Sequence, residues 1–192
     1  RGTGTDYGDD AQFFLAESYF LNEQFMLSIV EYENLTRKMA FSPFFEKARF
    51  RICEAYRIES PDYYNDQSYT EKALERYIEF LDDFPESEYN QNVTESMSIL
   101  RNKLAKKLYE TGILYLKMDE FEPARMSFND ALDQYYDTDI IDQIHYGIIK
   151  SFVKEKNIDK AKKHWMNKGK DHIVREDLVE EIDQLFIDEK KQ

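Results

Sequence analysis

The sequence predicts an all-α protein in which antiparallel helix pairs stack into a solenoid. Helix-breaking residues are scarce, since 6 Gly and 4 Pro occur among 192 residues. A β-sandwich or barrel needs a turn every ~8–12 residues. A pattern of small and aromatic residues also recurs along the chain at helical spacing. The apolar fraction of 42% argues against a disordered chain.

The recurring pattern pairs a small residue with an aromatic on each of two successive helices. Small residues let the helices approach closely, and the aromatic side chains fill the space beside them. Neither helix can bury its stripe alone, so the pairs must stack. The positions are Ala16, Tyr19, Ser28 and Tyr32; Cys53, Tyr56, Ala73 and Tyr77; Gly112, Tyr115, Ala124 and Phe128; and the degenerate Phe152, Ala161 and Trp165.

This pattern resembles the tetratricopeptide repeat, a right-handed solenoid of antiparallel helix pairs. We therefore expect one array over residues 1–192. Its parts are a connector at 1–8, repeats at approximately 9–40, 44–85, 88–136 and 140–168, an insert at 59–69 and a C-terminal helix at 172–188.

The individual helices follow from the pattern and from the positions of the breakers. No breaker separates residues 103 and 104, so the segments on either side run either as two helices or as one. The helices are predicted over 9–22, 24–39, 44–58, 70–84, 88–103, 104–118, 121–136, 140–155, 158–168 and 172–188.

Capping residues support several of these helix starts. The acidic pair at 9–10 favours a helix start, because carboxylates cap free N–H groups and oppose the helix dipole. Ser42 followed by Pro43 is typical of an N-cap and a first helical residue. Thr70 predicts another cap, and Pro123 is tolerated in a first turn.

Charge is spread unevenly along the chain, whose formal net charge is -13. Residues 150–175 carry nine basic and three acidic residues, whereas the segments on either side are acidic. The overall charge argues against nucleic acid as a partner. The basic block is either a solvated helix pair or a docking face for an acidic partner. No apolar run approaches the ~18 residues that span a bilayer.

The sequence contains no recognisable catalytic, cofactor-binding or metal-binding constellation. His145, His164 and His172 lack metal-ligand spacing on one helix face, so we expect them to be structural or solvent-facing. Cys53 occupies a small-residue position inside a helix, so we expect a packed thiol rather than a nucleophile. We therefore predict that the protein is not an enzyme and holds no cofactor.

Three stretches resemble a more specific family than the repeat alone. They are DAQFFLAESYF, the insert with its following helix SPDYYNDQSYTEKALERYIEFLDDFPESEY, and LRNKLAKKLYETGILYLKMDEFEPARMSFNDALDQYYDT. They are similar to the BamD (YfiO/ComL) family of outer-membrane β-barrel assembly lipoproteins over roughly residues 9–168. The family usually has Arg directly before the third helix-B aromatic, where this chain has Ser127 and, two residues earlier, Arg125. It usually has Pro where this chain has Tyr136.

The resemblance implies a periplasmic scaffold rather than an enzyme. Members of this family are tethered by a lipid to the periplasmic face of the outer membrane in Gram-negative-type bacteria. They bind the periplasmic domains of the BamA-like barrel insertase, and their partners include other assembly lipoproteins and unfolded barrel proteins. The resemblance also implies an upstream first repeat and a lipid anchor, and we expect both to precede the first residue of this sequence.

Candidate partner contacts lie off the predicted packing stripe and in the basic block. Exposed aromatic groups beside charges would suit an extended or helical peptide. Alternatively, inserts or neighbouring helices cover these positions. The candidates on the first helix of each pair are Phe13, Glu17, Phe20, Phe50, Glu54, Arg57, Tyr109 and Leu116. Those in the basic block, for docking the insertase or another lipoprotein, are Lys160, Lys162 and Lys163.

The insert is predicted to brace the helix that follows it. Asp66 and Gln67 would cap or support that helix, while Tyr63, Tyr64 and Tyr69 touch the preceding one. A direct partner contact is the alternative, because a loop of this length in a helical array is usually functional or flexible.

The C-terminal helix places Leu178, Ile182, Leu185 and Phe186 at helical spacing. They form either a cap on the last repeat or an intermolecular helix-in-groove contact. Two other functions stay open from the residues alone: a periplasmic repeat adaptor of the Tol–Pal cell-envelope type, and a cytosolic peptide-binding repeat module.

Overall fold

Ten α-helices and one π-helical turn make up the described part of the chain, residues 8–188 of the computed structural model. No β-strand occurs among these residues, which confirms the predicted all-α class. The predicted connector lies outside the described residues except for Gly8. The elements are α1 (Gly8–Leu21), α2 (Phe25–Lys38), α3 (Phe45–Glu59), α4 (Ser68–Asp83), α5 (Asn90–Lys117), α6 (Phe121–Gln134), α7 (Ile141–Lys154), α8 (Ile158–His164), π1 (Trp165–Gly169), α9 (Lys170–His172) and α10 (Glu176–Asp188).

Helices that follow one another in the chain pack against one another. α1 packs on α2, α2 on α3 and α3 on α4, while α6 packs on α7 and α7 on α8. This packing confirms a repeat fold of the tetratricopeptide type. The chain divides into two compact units, Arg1–Leu100 and Arg101–Gln192. The single array expected over the whole chain stays a prediction. Within residues 8–188, no helix is both long and apolar enough to cross a membrane.

The longest helix, α5, resolves the alternative that the sequence left open. The predicted segments 88–103 and 104–118 form one helix of 28 residues. It starts at Asn90, slightly later than predicted, because polar side chains hold the turn before it. The Ser87 hydroxyl accepts the Tyr89 N–H at 3.1 Å, and the Asn90 amide donates to the Phe84 carbonyl at 3.0 Å.

In the first unit, the predicted repeat residues lie in two buried clusters. Ala16 and Tyr32 are inaccessible in a cluster formed by α1, α2 and α3. Cys53, Ala73 and Tyr77 belong to the next cluster, which α3, α4 and the start of α5 share. Ser28 is fully buried as well, whereas Tyr19 and Tyr56 are partly buried.

In the second unit, the core is centred on Phe128, which is fully buried. Its ring lies against Gly112 of α5 and Gly147 of α7. A Cβ added at Gly147 would lie 2.7 Å from Phe128 Cζ, and one added at Gly112 would overlap the same ring. Ala124 is also inaccessible, and Tyr115 is partly buried. Two glycines therefore make room for one phenylalanine.

The turns within three helix pairs share one left-handed geometry. Glu23, Asp119 and Lys156 have φ of 59°, 59° and 61°. In each turn, the next residue's N–H reaches back to a carbonyl five residues earlier, as from Gln24 to Tyr19 at 2.9 Å. This bond is the Schellman closure of a helix C-terminus. The second pair has the insert at this place instead.

The C-terminal part departs from the predicted helix over 158–168. α8 ends at His164, and the chain widens into π1, where the Lys170 N–H bonds the Trp165 carbonyl. Trp165 is partly buried and lies close to Gly169, where an added Cβ would be 2.7 Å from the Trp165 ring. An uninterrupted α-helix was expected because no breaker precedes Gly169.

α10 packs on α7 within the second unit. Leu178 and Ile182 are buried there beside Tyr146 and Ile149. Leu185 and Phe186 are partly buried in the same cluster. The apolar stripe of the last helix therefore shields the final repeat, which is the first of the two alternatives.

Candidate interaction surfaces

A hydroxyl–carboxylate link joins the helices of the first two pairs. The Tyr32 hydroxyl of α2 donates to Glu17 of α1, and Tyr77 of α4 donates to Glu54 of α3. Each glutamate directly follows the small residue of the repeat pattern. Arg51 binds Glu17 at 2.8 Å from the following pair. These glutamates therefore hold the helix pairs together instead of offering free carboxylates.

Arg57 and Glu54 form a partly buried ion pair at 2.7 Å. Burial alone would raise the pKa of Glu54, but hydrogen bonds from Arg57 and Tyr77 outweigh burial and lower it. The same pair raises the pKa of Arg57. Arg57, predicted as a partner contact, thus already has an internal carboxylate.

The predicted aromatic contacts differ widely in accessibility. Phe13 is 2% exposed and stacks on Phe44 at 4.5 Å, so its prediction as an exposed contact is wrong. The prediction is also wrong for Leu116, which is 4% exposed. Phe13 lies three residues before Ala16, and Leu116 lies four after Gly112. Both therefore share the packing face of their helix.

The other predicted aromatic residues are partly buried. Phe20 meets Phe25 edge to face at 5.3 Å and carries the Arg51 guanidinium 4.6 Å above its ring. Phe50 stacks on Tyr89 at 4.4 Å. In the second unit, Tyr109 lies 5.9 Å from the Phe128 ring. Neighbouring side chains thus cover part of every one of these rings.

A different set of apolar side chains is exposed on the first helix pair, and the sequence pattern missed it. Phe14 is 61% and Leu21 75% exposed, and Phe41 after α2 is fully exposed. The only signal in the sequence was their place outside the small–aromatic pattern. The further members are Leu15, Met26, Leu27 and Val30.

The basic block supplies exposed lysines on α8. Lys160, Lys162 and Lys163 are all exposed. They do not share one surface, because the Lys162 ammonium lies 6.0 Å from the Phe186 ring, whereas Lys160 and Lys163 line a cavity beside Phe152. The structure therefore separates three lysines that the sequence analysis grouped together.

Three histidines meet in the second unit, although they are far apart in sequence. His145 Nδ1 lies 3.0 Å from His164 Nε2, and the His172 ring stacks on His145 at 4.8 Å. Burial and neighbouring positive charge lower the pKa of both His145 and His164 to about 4. The pair is neutral at neutral pH and joins α7 to α8.

Cys53 is a packed thiol, as expected. It is 1% exposed, and its Sγ donates to the Arg49 carbonyl at 3.3 Å. Burial raises the pKa of this thiol to about 12, so it is protonated at neutral pH. In the part of the chain that the structure describes, no three His, Cys, Asp or Glu side chains are arranged to hold a metal ion.

Comparison with known proteins places this helical architecture in a family. A family model described as YfiO, outer membrane lipoprotein, matches residues 3–164. The chain belongs to the YfiO family. No curated protein matches it at a significant level. The match extends over most of the chain and ends at His164, where α8 gives way to π1.

The insert of this YfiO-family chain braces α4, as the sequence analysis predicted. The Gln67 amide donates to the Asp62 and Asn65 carbonyls at 2.9 and 3.1 Å. Its carbonyl accepts the Thr70 hydroxyl at 2.8 Å, and Gln67 is 4% exposed. Asp66 accepts the Ser68 N–H at 3.0 Å and so gives a partner to a free N–H group in the first turn of α4.

The insert tyrosines differ in their contacts. The ring of Tyr69 lies 6.3 Å from that of Tyr56 on the preceding helix, as expected. Tyr63 and Tyr64 pack edge to face on each other at 5.4 Å, and the Tyr64 hydroxyl donates to Asp62 at 2.9 Å. Tyr64 is 68% exposed, so its ring is accessible to a partner.

The arginine position that differs from the usual YfiO pattern has a clear structural role here. Ser127 is 7% exposed, and its hydroxyl donates to the Leu108 carbonyl at 2.9 Å. Arg125 pairs with Glu155 at 3.1 Å and lies 4.4 Å from the Phe152 ring. Arg125 therefore serves internal packing in the second unit.

Proposed function

We propose that this protein is a non-catalytic scaffold of the outer-membrane β-barrel assembly machinery. Membership of the YfiO outer membrane lipoprotein family carries the proposal. Helix pairs of the tetratricopeptide type support it, because stacked helices present extended surfaces for other polypeptides. In this proposal, a lipid anchor holds the scaffold at the periplasmic face of the outer membrane.

The proposed main partner is the periplasmic part of a BamA-like barrel insertase, docked on the basic face of α8. Lys160 and Lys163 support this placement, since neither has a carboxylate partner among the described side chains of residues 8–187. An acidic surface would satisfy these charges and orient the complex. Other assembly lipoproteins are the alternative occupants of the same face.

Unfolded barrel proteins are the proposed second class of partner. The exposed apolar side chains of α1 and α2, among them Phe14, Leu21 and Leu27, support contact with apolar chain segments. The partly accessible rings of Phe20 and Phe50 add aromatic surface.

The proposal is tested by titrating the chain with the periplasmic domain of the barrel insertase from the same organism, using calorimetry. We expect a one-to-one complex whose affinity falls as salt is raised, because the contact is electrostatic. Charge reversal at Lys160 and Lys163 should weaken it, while reversal at the exposed Lys38 of α2 serves as the control. No complex at low salt would overturn the proposal and favour another envelope adaptor.

A further inference from the structure

The second unit contains an open surface cavity of about 350 Å³ that has an apolar wall and a basic rim. Phe152 of α7 supplies the apolar wall, and the Lys160 ammonium lies 5.9 Å from its ring. The cavity is bounded by the end of α7, by α8 and by π1. Its lining is Phe152, Lys160, Lys163, His164, Asn167 and Lys168.

The lysines at this rim differ from other cations of the same unit. Arg101 pairs with Asp137 at 2.6 Å, and Lys154 pairs with Asp119 at 2.9 Å. Among the side chains that the structure describes, those of residues 8–187, no carboxylate pairs with the three rim lysines. Positive charge concentrated beside an apolar wall is complementary to an acidic polypeptide segment that also carries an apolar side chain.

His164 connects this cavity to the interior of the unit. It lines the cavity, and its Nε2 meets His145 Nδ1 of α7 at 3.0 Å. The charged and titratable groups that act on the pair are Lys168 from π1 and His172 from α9. None of these groups is negatively charged. A carboxylate that entered the cavity would therefore favour the protonated form of the His164 imidazole.

We propose that this cavity receives an acidic segment of a partner polypeptide, whose carboxylates face the three lysines, and that His164 takes up a proton when the segment binds. This inference rests on the proposed scaffold function and refines its docking face. It makes partner affinity dependent on pH as well as on salt.

The location is tested with an acidic peptide that carries one central phenylalanine, acetyl-EDEFEDE-amide, titrated by calorimetry. The double variant Lys160→Gln with Lys163→Gln should weaken binding about tenfold, since it removes two charged partners of the carboxylates. Lys162→Gln is the matched control, because it makes the same change on α8 beside Phe186 and should leave affinity unchanged. An equal loss in the control, or no binding of the peptide, would overturn the proposal.

The proton uptake is tested by repeating the titration between about pH 7.5 and about pH 5.5, where the peptide carboxylates stay ionised. If the bound imidazole returns to its ordinary pKa, affinity should rise about tenfold on acidification. His164→Gln should abolish this rise while keeping affinity near pH 7.5, and circular dichroism checks that it stays helical. An unchanged pH dependence in this variant would contradict the role of His164.

Two further binding partners are titrated in the same way: the insertase periplasmic domain and vesicles of phosphatidylglycerol. If the domain binds the wild type and the Lys160/Lys163 variant equally, the scaffold function stands and the cavity proposal fails. If the peptide binds at the cavity but the domain does not bind, the cavity proposal stands and the scaffold function fails. Binding of the vesicles without the peptide would identify a lipid surface and overturn the cavity proposal.

Discussion

At the scale of single residues, the links from Tyr32 and Tyr77 to glutamates define how the helix pairs are held. Burial raises the pKa of both tyrosines, and the hydrogen bond to the glutamate raises it further. Each phenol therefore stays protonated and donates. The third pair has Phe128 instead, and Ile113 follows its small residue, so hydroxyl and carboxylate are both absent there. In these three helix pairs, the tyrosine hydroxyl and the glutamate carboxylate therefore occur together or not at all.

Removing one hydroxyl tests this account of the link. Tyr77→Phe should lower the free energy of unfolding by about 1–2 kcal/mol, because Glu54 loses a donor in a half-buried site. Urea unfolding followed by circular dichroism measures the change. Tyr64→Phe is the control, since its hydroxyl bonds Asp62 on an exposed loop, and it should change stability by less than about 0.5 kcal/mol. Equal effects of the two variants would contradict the structural role of the link.

Residue-level predictions from the sequence succeeded at the positions of the small–aromatic pattern. They failed for Phe13 and Leu116, although the helical period decides the burial of both, and for partners that depend on contacts between helices. The small and aromatic pattern located Ala16, Tyr32 and Phe128, since one face of a helix must be buried. The same period should have placed Phe13 on that face, because it lies one turn from Ala16. The carboxylate partner of Tyr32 could not be predicted, since it depends on the axial register between α1 and α2.

At the scale of elements, the three left-handed turns are the costly positions of the fold. Non-glycine residues in this conformation pay roughly 1–2 kcal/mol in steric strain. Glu23 and Asp119 adopt this strained conformation because the chain must reverse direction within a few residues to start the next helix. The second pair avoids such a turn by using its insert.

Glycine at one of these turns should therefore stabilise the protein. Glu23→Gly is expected to raise the free energy of unfolding by about 0.5 kcal/mol, because relief of strain exceeds the added flexibility of the unfolded chain. Glu122→Gly, in the first turn of α6, is the control and should cost about 0.5–1 kcal/mol. Thermal and urea unfolding would measure the change in the free energy of unfolding of both variants. If Glu23→Gly lowered the free energy of unfolding as much as the control variant does, the left-handed geometry at Glu23 would be contradicted.

The His145–His164 pair makes the contact between α7 and α8 sensitive to pH. Both pKa values fall from an ordinary 6.5 to about 4 on folding. The unfolded chain therefore binds more protons between these values, and the stabilisation present above pH 6.5 is lost as the pH falls toward 4. We expect a loss on the order of 2 kcal/mol for each histidine between about pH 7 and about pH 5.

The fluorescence of Trp165, the single tryptophan, reports this loss from inside the second unit. Urea titrations at a series of pH values should show the midpoint falling on acidification. The double variant His145→Gln with His164→Gln should show a flatter dependence. A wild-type midpoint that stays constant over this range would contradict the neutral pair.

Element-level predictions from local chemistry were right for the insert but wrong for two helix starts. Ser42 and Thr70 were predicted as N-caps, whereas α3 begins at Phe45 and α4 at Ser68. The bracing role of Gln67 followed from a polar residue just before a helix. The meeting of His145, His164 and His172 could not be foreseen, because it depends on the turns between α7, α8 and α9. π1 was missed for a related reason, since its widening depends on the packing of Trp165 over Gly169.

At the scale of the whole molecule, the charge distribution separates one basic segment from an acidic remainder. The net charge of -13 contains a block at 150–175 with nine basic residues. The lysines at the cavity rim have no carboxylate partner among the described side chains of residues 8–187. Such asymmetry guides a partner to one face and suppresses contacts elsewhere. The proposed scaffold function depends on this face.

The most direct test of that function is photo-crosslinking in living cells of the native organism. A photoreactive amino acid placed at Lys163 should crosslink to the periplasmic part of the barrel insertase, whereas the same probe at the exposed Glu95 of α5 should not. Mass spectrometry identifies the adduct. An insertase adduct at Lys163 alone is the predicted result. Adducts only with unrelated envelope or cytosolic proteins would contradict a role in barrel assembly.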